Sequence, residues 1–219
     1  MAVITISRQL ESKGDEVARL VCEKLGYQYF DKRAMTQVGQ EMGLAAGLVK
    51  EAAEFKTAPK GLLERWFGNY GDPLTGDASS WTFGLRNDAL MDLTVANLMD
   101  IINAGYQKGN VVIVGRGGMA ALQDKPDVLH VRIQAPLALR VKRLQEREGL
   151  TLEAAQQKIR ERDLSDVDWI KRYFGLDSHE PSLFDLIINT AKITPADAAD
   201  MVVKALALLP AKAKQAATS

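Results

Sequence analysis

Apolar residues gather in short continuous runs at residues 3–6, 111–114, 128–133 and 185–188, and residues 27–30 read as a fifth. The runs are rich in Val and Ile and do not alternate with polar residues. That pattern suits strands covered on both faces of a parallel sheet. Between them, apolar positions recur at helical spacing over residues 15–25, 44–55, 85–104, 136–148, 151–164 and 195–209. The last helix has a written start: Thr194 as cap, Pro195 at the first helical position and Asp197 in the first turn. Strand–helix alternation implies βαβ units with right-handed crossovers, hence an α/β fold with a parallel sheet of about five strands flanked by helices.

Two stretches interrupt the pattern. Residues 56–84 are rich in Gly, Pro and Ser yet carry Trp66, Phe67, Tyr70, Trp81 and Phe83. A loop this long is uncommon in a compact domain unless it serves a function. It reads either as a structural excursion pinned by its aromatics or as a surface for a substrate or protein partner. Residues 165–182, with Trp169, Lys171, Arg172, Tyr173 and Phe174, read as the second break. Residues 210–219 are small and polar and read as a disordered tail.

Charge and cysteine usage narrow the function classes. The 28 basic and 28 acidic side chains cancel, so there is no global field for nucleic acid or an anionic membrane, and neither is expected as a partner. One cysteine, Cys22, excludes an internal disulfide and reads as core packing within Val17, Leu20, Val21 and Leu25. Two histidines and one cysteine make no zinc site of the usual kind; His130 reads as a hydrogen-bonded structural residue, and His179 lies in a polar loop. No run approaches the length that spans a bilayer, and Met1 leads directly into a strand without a basic or apolar leader, so the expected location is cytoplasmic.

The chemistry is expected where the first strand meets the first helix, at residues 7–16. Free backbone N–H groups and the helix dipole converge at such a junction and hold phosphates. The complete motif, G-x-x-x-x-G-K-[ST], adds a lysine and a magnesium-binding hydroxyl, and it is absent here. Further on, Arg140, Arg143 and Arg147 share one helical face and require anions or carboxylates opposite them. Glu146, Glu148, Glu161 and Asp163 offer a salt-bridge answer; phosphates offer another.

Several segments together, in order, resemble the cytidylate kinase-like family. They are Ile4-Thr5-Ile6-Ser7-Arg8-Gln9, Gly26-Tyr27, Tyr29-Phe30-Asp31-Lys32, and Val112-Ile113-Val114-Gly115-Arg116-Gly117-Gly118. Asp127-Val128-Leu129-His130-Val131, Ala135-Pro136-Leu137, Arg140, Lys142-Arg143, Arg147-Glu148-Gly149 and Asp185-Leu186-Ile187-Ile188-Asn189-Thr190 complete the likeness. The resemblance implies a single nucleotide-kinase-like domain of the P-loop type over residues 1–209, with an insertion at about 36–104 and a lid at about 140–182. It implies ATP at Ser12, Lys13, Gly14, Asp15 and Glu16, and a nucleoside monophosphate or similar small acceptor at Asp31 and Arg116. It implies charge neutralisation by Lys13, Arg140 and Arg143, and a lid closing through Arg160, Arg162 and Asp163. Magnesium would come with the ATP rather than at a protein-only site, with Asp15 or Glu16 the carboxylates nearest to it.

The loop departs from the family. Authentic cytidylate kinases carry a lysine aligned with Gly14, and the related branch reads G-S-G-G where this chain has Glu11-Ser12-Lys13-Gly14. Gly117 stands where authentic enzymes have aspartate, and Asp166 where the branch tends to be basic. A carboxylate ~6 Å from a phosphate charge costs about 3 kcal/mol at an effective dielectric near 20. Lys13 reads as the one nearby cation able to offset Glu11. Three functions remain open: phosphoryl transfer from Mg-ATP to a nucleoside monophosphate such as CMP, a non-catalytic nucleotide-binding or regulatory module, or a kinase of another small acceptor.

Overall fold

The computed structural model describes residues 2–30, 88–115 and 117–209, with the backbone alone over 88–97. The chain divides into two compact units, Met1–Asp31 with Ile102–Ser219, and Lys32–Ile101. Of the second unit only residues 88–101, the first part of a helix, are described. The aromatic stretch 56–84, the helix expected at 44–55 and the tail 210–219 lie outside the described residues.

The described elements run β1 (Val3–Arg8), α1 (Gly14–Leu25), β2 (Gln28–Phe30), α2 (Asp88–Lys108), β3 (Val111–Val114), α3 (Gly118–Ala121), β4 (Val128–Gln134), α4 (Leu137–Glu148), α5 (Leu152–Phe174), a short 3-10 turn (Pro181–Leu183), β5 (Leu186–Asn189) and α6 (Pro195–Leu208). The strands form one sheet in the order β2-β3-β1-β4-β5, every pairing parallel. Val3 to Ile6 pair with Val111 to Val114 on one side and with Val128 to Val131 on the other. All five expected strands are present, each within two residues of its expected bounds.

Continuous Val/Ile runs form the central strands because both faces are covered. On one face Ile4, Ile6, Val112, Val114, Val131 and Ile133 pack with Val17, Ala18 and Val21 of α1 and with Ala198, Ala199 and Val202 of α6. Cys22 belongs to this core, and burial, with Glu23 nearby, pushes its thiol up to about 11. Such a thiol stays protonated and unreactive. A separate cluster joins Met119 and Ala120 of α3 to Ile170, Trp169 and Phe174 of α5. Helix starts follow their capping residues: Ala154 N–H donates to Thr151 Oγ1 at 3.3 Å, and Asp197 N–H to Thr194 Oγ1 at 3.2 Å.

One expected break is not one. The stretch from 165 continues as helix α5 to Phe174 and ends at Gly175, whose φ is 68°. Arg162 and Asp166 pair at i,i+4 across the expected boundary, with Nη2 to Oδ1 at 3.1 Å. Trp169 and Phe174 then meet edge to face, ring centres 5.4 Å apart, against α3. Tertiary packing of an apolar helical face outweighs the polar composition that suggested a loop.

His130 is structural, as expected. Its Nδ1 lies 2.7 Å from Thr5 Oγ1 on the neighbouring strand, and its backbone N–H donates to Asp185 Oδ2 at 2.8 Å. Burial lowers its pKa from 6.5, against the opposing pull of Asp185 and the Leu122 backbone. The unfolded chain therefore takes up this proton first as pH falls. The contribution is intact above 6.5 and is lost progressively below it, down through the lower folded value. Urea unfolding at about pH 7.5 and about pH 5.5 should show the parent losing more stability on acidification than His130→Gln does. Equal losses would contradict this assignment.

Candidate functional site

The loop leaving β1 is shaped by hydrogen bonds to the rest of the fold. Gln9 N–H donates to Ile133 O at 3.1 Å, keeping the chain beside β4. Ser12 then folds back, its N–H and its Oγ both donating to Gln9 O, at 3.1 and 2.8 Å. Glu11 and Lys13 take left-handed backbone angles, φ 61° and 66°, and α1 begins at the next residue, Gly14. Left-handed residues inserted in this way turn successive N–H groups into a concavity that accepts anions.

Three consecutive carbonyls of the loop are tied to donors elsewhere. Leu10 O accepts from Arg140 Nη1 at 3.5 Å, Glu11 O from Arg143 Nη1 at 2.9 Å, and Ser12 O from Thr190 Oγ1 at 2.8 Å. In a planar trans peptide the N–H points opposite to the carbonyl. Tying back the carbonyls of Leu10 and Ser12 therefore turns the N–H groups of Glu11 and Lys13 to the other side. The amide between them, that of Ser12, closes the turn onto Gln9.

The arginine face of α4 is divided among different partners. Arg140 is buried and grips Asp163 of α5 in a fork, Nη1 to Oδ1 at 3.0 Å and Nη2 to Oδ2 at 2.8 Å, while its Nε donates to Ala135 O at 3.1 Å. Arg143 holds the Glu11 carbonyl together with Thr190 O, at 3.1 Å. Arg147 takes the Glu11 carboxylate itself and also pairs with Glu148 at 2.7 Å. The expectation that Lys13 alone offsets Glu11 is thus corrected. The turn at Glu11 carries its side chain onto α4, whereas Lys13 Nζ lies 3.4 Å from Glu16 Oε2 with both side chains about half exposed.

Strand order places a crevice beside this loop. The chain leaves β1 toward β2 on one side, and leaves β3 toward β4 on the other, so the carboxyl ends of adjacent β1 and β3 open a switch point of the kind that binds ligands. Arg8, the last residue of β1, crosses it. Arg8 Nε donates to Asp15 Oδ1 at 3.1 Å. The stem of Arg8 lies over Gly14, where an added Cβ would come within 2.3 Å of Arg8 Cβ. Its Nη1 comes within 2.5 Å of where a Cβ on Gly115 would stand. Partial burial on α5 pushes the Asp166 carboxyl up, against the pull of Arg162 and Arg8.

The expected site residues therefore separate into groups. Ser12, Lys13, Gly14, Asp15 and Glu16 form the turn and the start of α1. Buried Arg140 pairs with the half-buried Asp163, Arg162 pairs with Asp166, and Arg160 is exposed on α5. Asp31 and Arg116 lie outside the described residues. Among the described residues no three His, Cys, Asp or Glu side chains gather as a metal site. Asp15 and Glu16 in the first turn of α1 fit magnesium held chiefly by nucleotide phosphates and water, which needs only one or two carboxylates from the protein. Among the described residues no helix is long and apolar enough to cross a membrane. Sequence reasoning missed Arg8, Thr190 and the Arg147–Glu11 pair. The available signal for Arg8 was its place at the carboxyl end of the strand that feeds the loop.

Comparison with known proteins agrees with this architecture. The chain is 38% identical over 89 residues to a cytidylate kinase of Pyrococcus horikoshii, a match covering 41% of this chain and 45% of that protein. Its match to a cytidylate kinase of Pyrococcus furiosus is 38% over 96 residues, 44% of this chain and 48% of that one. The chain thus spans about half the length of the curated relatives it matches. Among solved structures, an uncharacterized protein from Eubacterium ventriosum superposes with a TM-score of 0.65 at 18% identity, over 95% of this chain and 99% of the other. A Thermus thermophilus protein superposes at 0.51 and 17% identity, over 96% and 98%. Both likenesses bear on the fold alone. The family model for the cytidylate kinase-like family matches residues 3–192, which with the parallel sheet and the loop after its central strand makes this chain a member of that family.

Proposed function

We propose that the protein transfers a phosphoryl group from ATP to a nucleoside monophosphate such as CMP, with the triphosphate lying in the loop before α1. The observation that carries this reading is the tying back of the Leu10 and Ser12 carbonyls, which turns the amides of Glu11 and Lys13 to the opposite side of the loop just before α1. The positive end of the α1 dipole adds to them. A carboxylate at Glu11 is compatible with a phosphate there because Arg147 already neutralises it. Magnesium, when bound with the nucleotide, shields the developing phosphate charge.

In this reading Lys13 supplies a second, half-exposed cation at the end of the loop, and Asp15 or Glu16 accepts hydrogen bonds from water around the metal. Arg140 and Arg143 act by holding the loop in shape, since their donors go to Asp163 and to backbone oxygens. Asp31 and Arg116 serve the acceptor, Arg116 as a charge-assisted partner for its phosphate. Residues 140–182, with Arg160, Arg162 and Asp163, form the lid. A cytoplasmic location follows from these substrates. The absence of a side chain at Gly14, where a complete phosphate loop has lysine, favours a non-catalytic nucleotide-binding module as the second reading.

Thermal unfolding with ATP, CMP and both, with and without magnesium, tests binding. Ligand at about a hundred times its dissociation constant adds ~2.7 kcal/mol of stability. A shift with ATP, together with ADP formation that requires CMP, is the expected result. A shift without turnover on any monophosphate selects the non-catalytic reading, and no shift with any nucleotide contradicts both. The holding role of Arg143 is tested by Arg143→Gln. That change should speed hydrogen exchange at the amides of residues 11–13 and weaken ATP binding about tenfold. Lys142→Gln, whose side chain is exposed beside Glu146, should change neither.

A further inference from the structure

We propose that Arg8 is the phosphate-facing cation of this loop, occupying the space over Gly14 that the lysine of a complete phosphate loop would fill. The inference rests on the nucleotide reading above and deepens it.

A complete loop places its lysine immediately before the metal-binding hydroxyl, and Gly14 followed by Asp15 stands there in this chain. The vacated volume is taken by another side chain. A Cβ built on Gly14 would stand 2.3 Å from Arg8 Cβ and 2.8 Å from Arg8 Cγ. Carbon atoms cannot approach so closely, so a side chain at 14 and the present course of Arg8 exclude each other. Gly14 is then more than the loss of a cation: it is the condition for the one at residue 8 to cross above the loop.

The guanidinium is also aimed. The Asp15 carboxylate receives Arg8 Nε, which fixes the plane of the group. From there Nη1 extends to the end of β3, 2.5 Å from the position of a Cβ on Gly115. Arg8 therefore spans the switch point between β1 and β3, beside the start of α1. Asp166 senses its charge from α5. The side chain is only 15% exposed, so its field is weakly screened. Arginine offers five donors in a planar fork that matches phosphate oxygens, a geometry that lysine lacks. A surface ion pair with Asp15 alone would require neither the missing side chain at Gly14 nor the approach to Gly115.

The test is a charge swap read by calorimetry with ATP and with inorganic tripolyphosphate. The four proteins are the parent, Arg8→Gln, Gly14→Lys and the double variant Arg8→Gly with Gly14→Lys. Circular dichroism and Tm establish that each is folded. Arg8→Gln should lose affinity for both ligands on the order of ten- to a hundredfold. Gly14→Lys alone should also lose affinity, because it displaces Arg8. The double variant, which moves the cation to the lysine position and clears the space above it, should regain affinity to within a few-fold of the parent. Should Arg8→Gln fold poorly, Arg8→Lys keeps the charge and should bind more tightly than Arg8→Ala. Undiminished binding by folded Arg8→Gln overturns this inference and leaves the nucleotide reading standing. A double variant no better than its weaker parent substitution overturns the shared-space argument. A parent protein that binds neither ligand overturns the inference together with the function on which it rests.

Discussion

Three carbonyl oxygens of the loop after β1 are held by donors from α4 and from the end of β5, and what the loop offers a ligand depends on that. The backbone between strand and helix, residues 9–13, has both hydrogen-bond donors and acceptors to display. Arg140, Arg143 and Thr190 take acceptors at Leu10, Glu11 and Ser12 and so bias the other side toward donors. Each of these holders is itself fixed. Arg140 is buried in its fork with Asp163, and Thr190 is buried at the carboxyl end of β5. Removing Asp163 would leave the buried Arg140 guanidinium without its carboxylate, so the loop inherits the rigidity of the packed helices.

The same economy governs the charges. A chain with 28 cations and 28 anions has no net field to attract a nucleotide, so any attraction must come from local placement. Around the loop the anions are paired off: Glu11 with Arg147, Asp15 with Arg8, Asp163 with Arg140 and Asp166 with Arg162. Read alone, Glu11 is out of place in a phosphate loop. Its left-handed backbone sends the carboxylate to α4, where it helps anchor the loop instead of facing the phosphates.

The sheet was legible in the sequence because continuous Val/Ile runs have few other uses, and the cap at Thr194 marked the start of the last helix. The second half of α5 was not legible. Its polar residues pair along the helix, and its aromatics find α3, a partner distant in sequence. The partner of Glu11 was hidden for a different reason. Proximity in sequence favoured Lys13, and only the backbone angle at Glu11 shows that Arg147, more than a hundred residues later, is nearer. The relation of Arg8 to Gly14 is a matter of excluded volume, which no spacing rule reports. The acceptor residues expected from the resemblance, Asp31 and Arg116, lie outside the described residues.

Under the proposed function the loop presents backbone donors to a triphosphate. Amide nitrogen–proton spectra of the parent protein, titrated with magnesium and ATP, test it most directly. The amides of Glu11, Lys13 and Gly14 should shift together, saturably, and ahead of amides on the far edge of the sheet at β5. Saturable shifts elsewhere with these three unmoved, or no saturable shift at all, would contradict it.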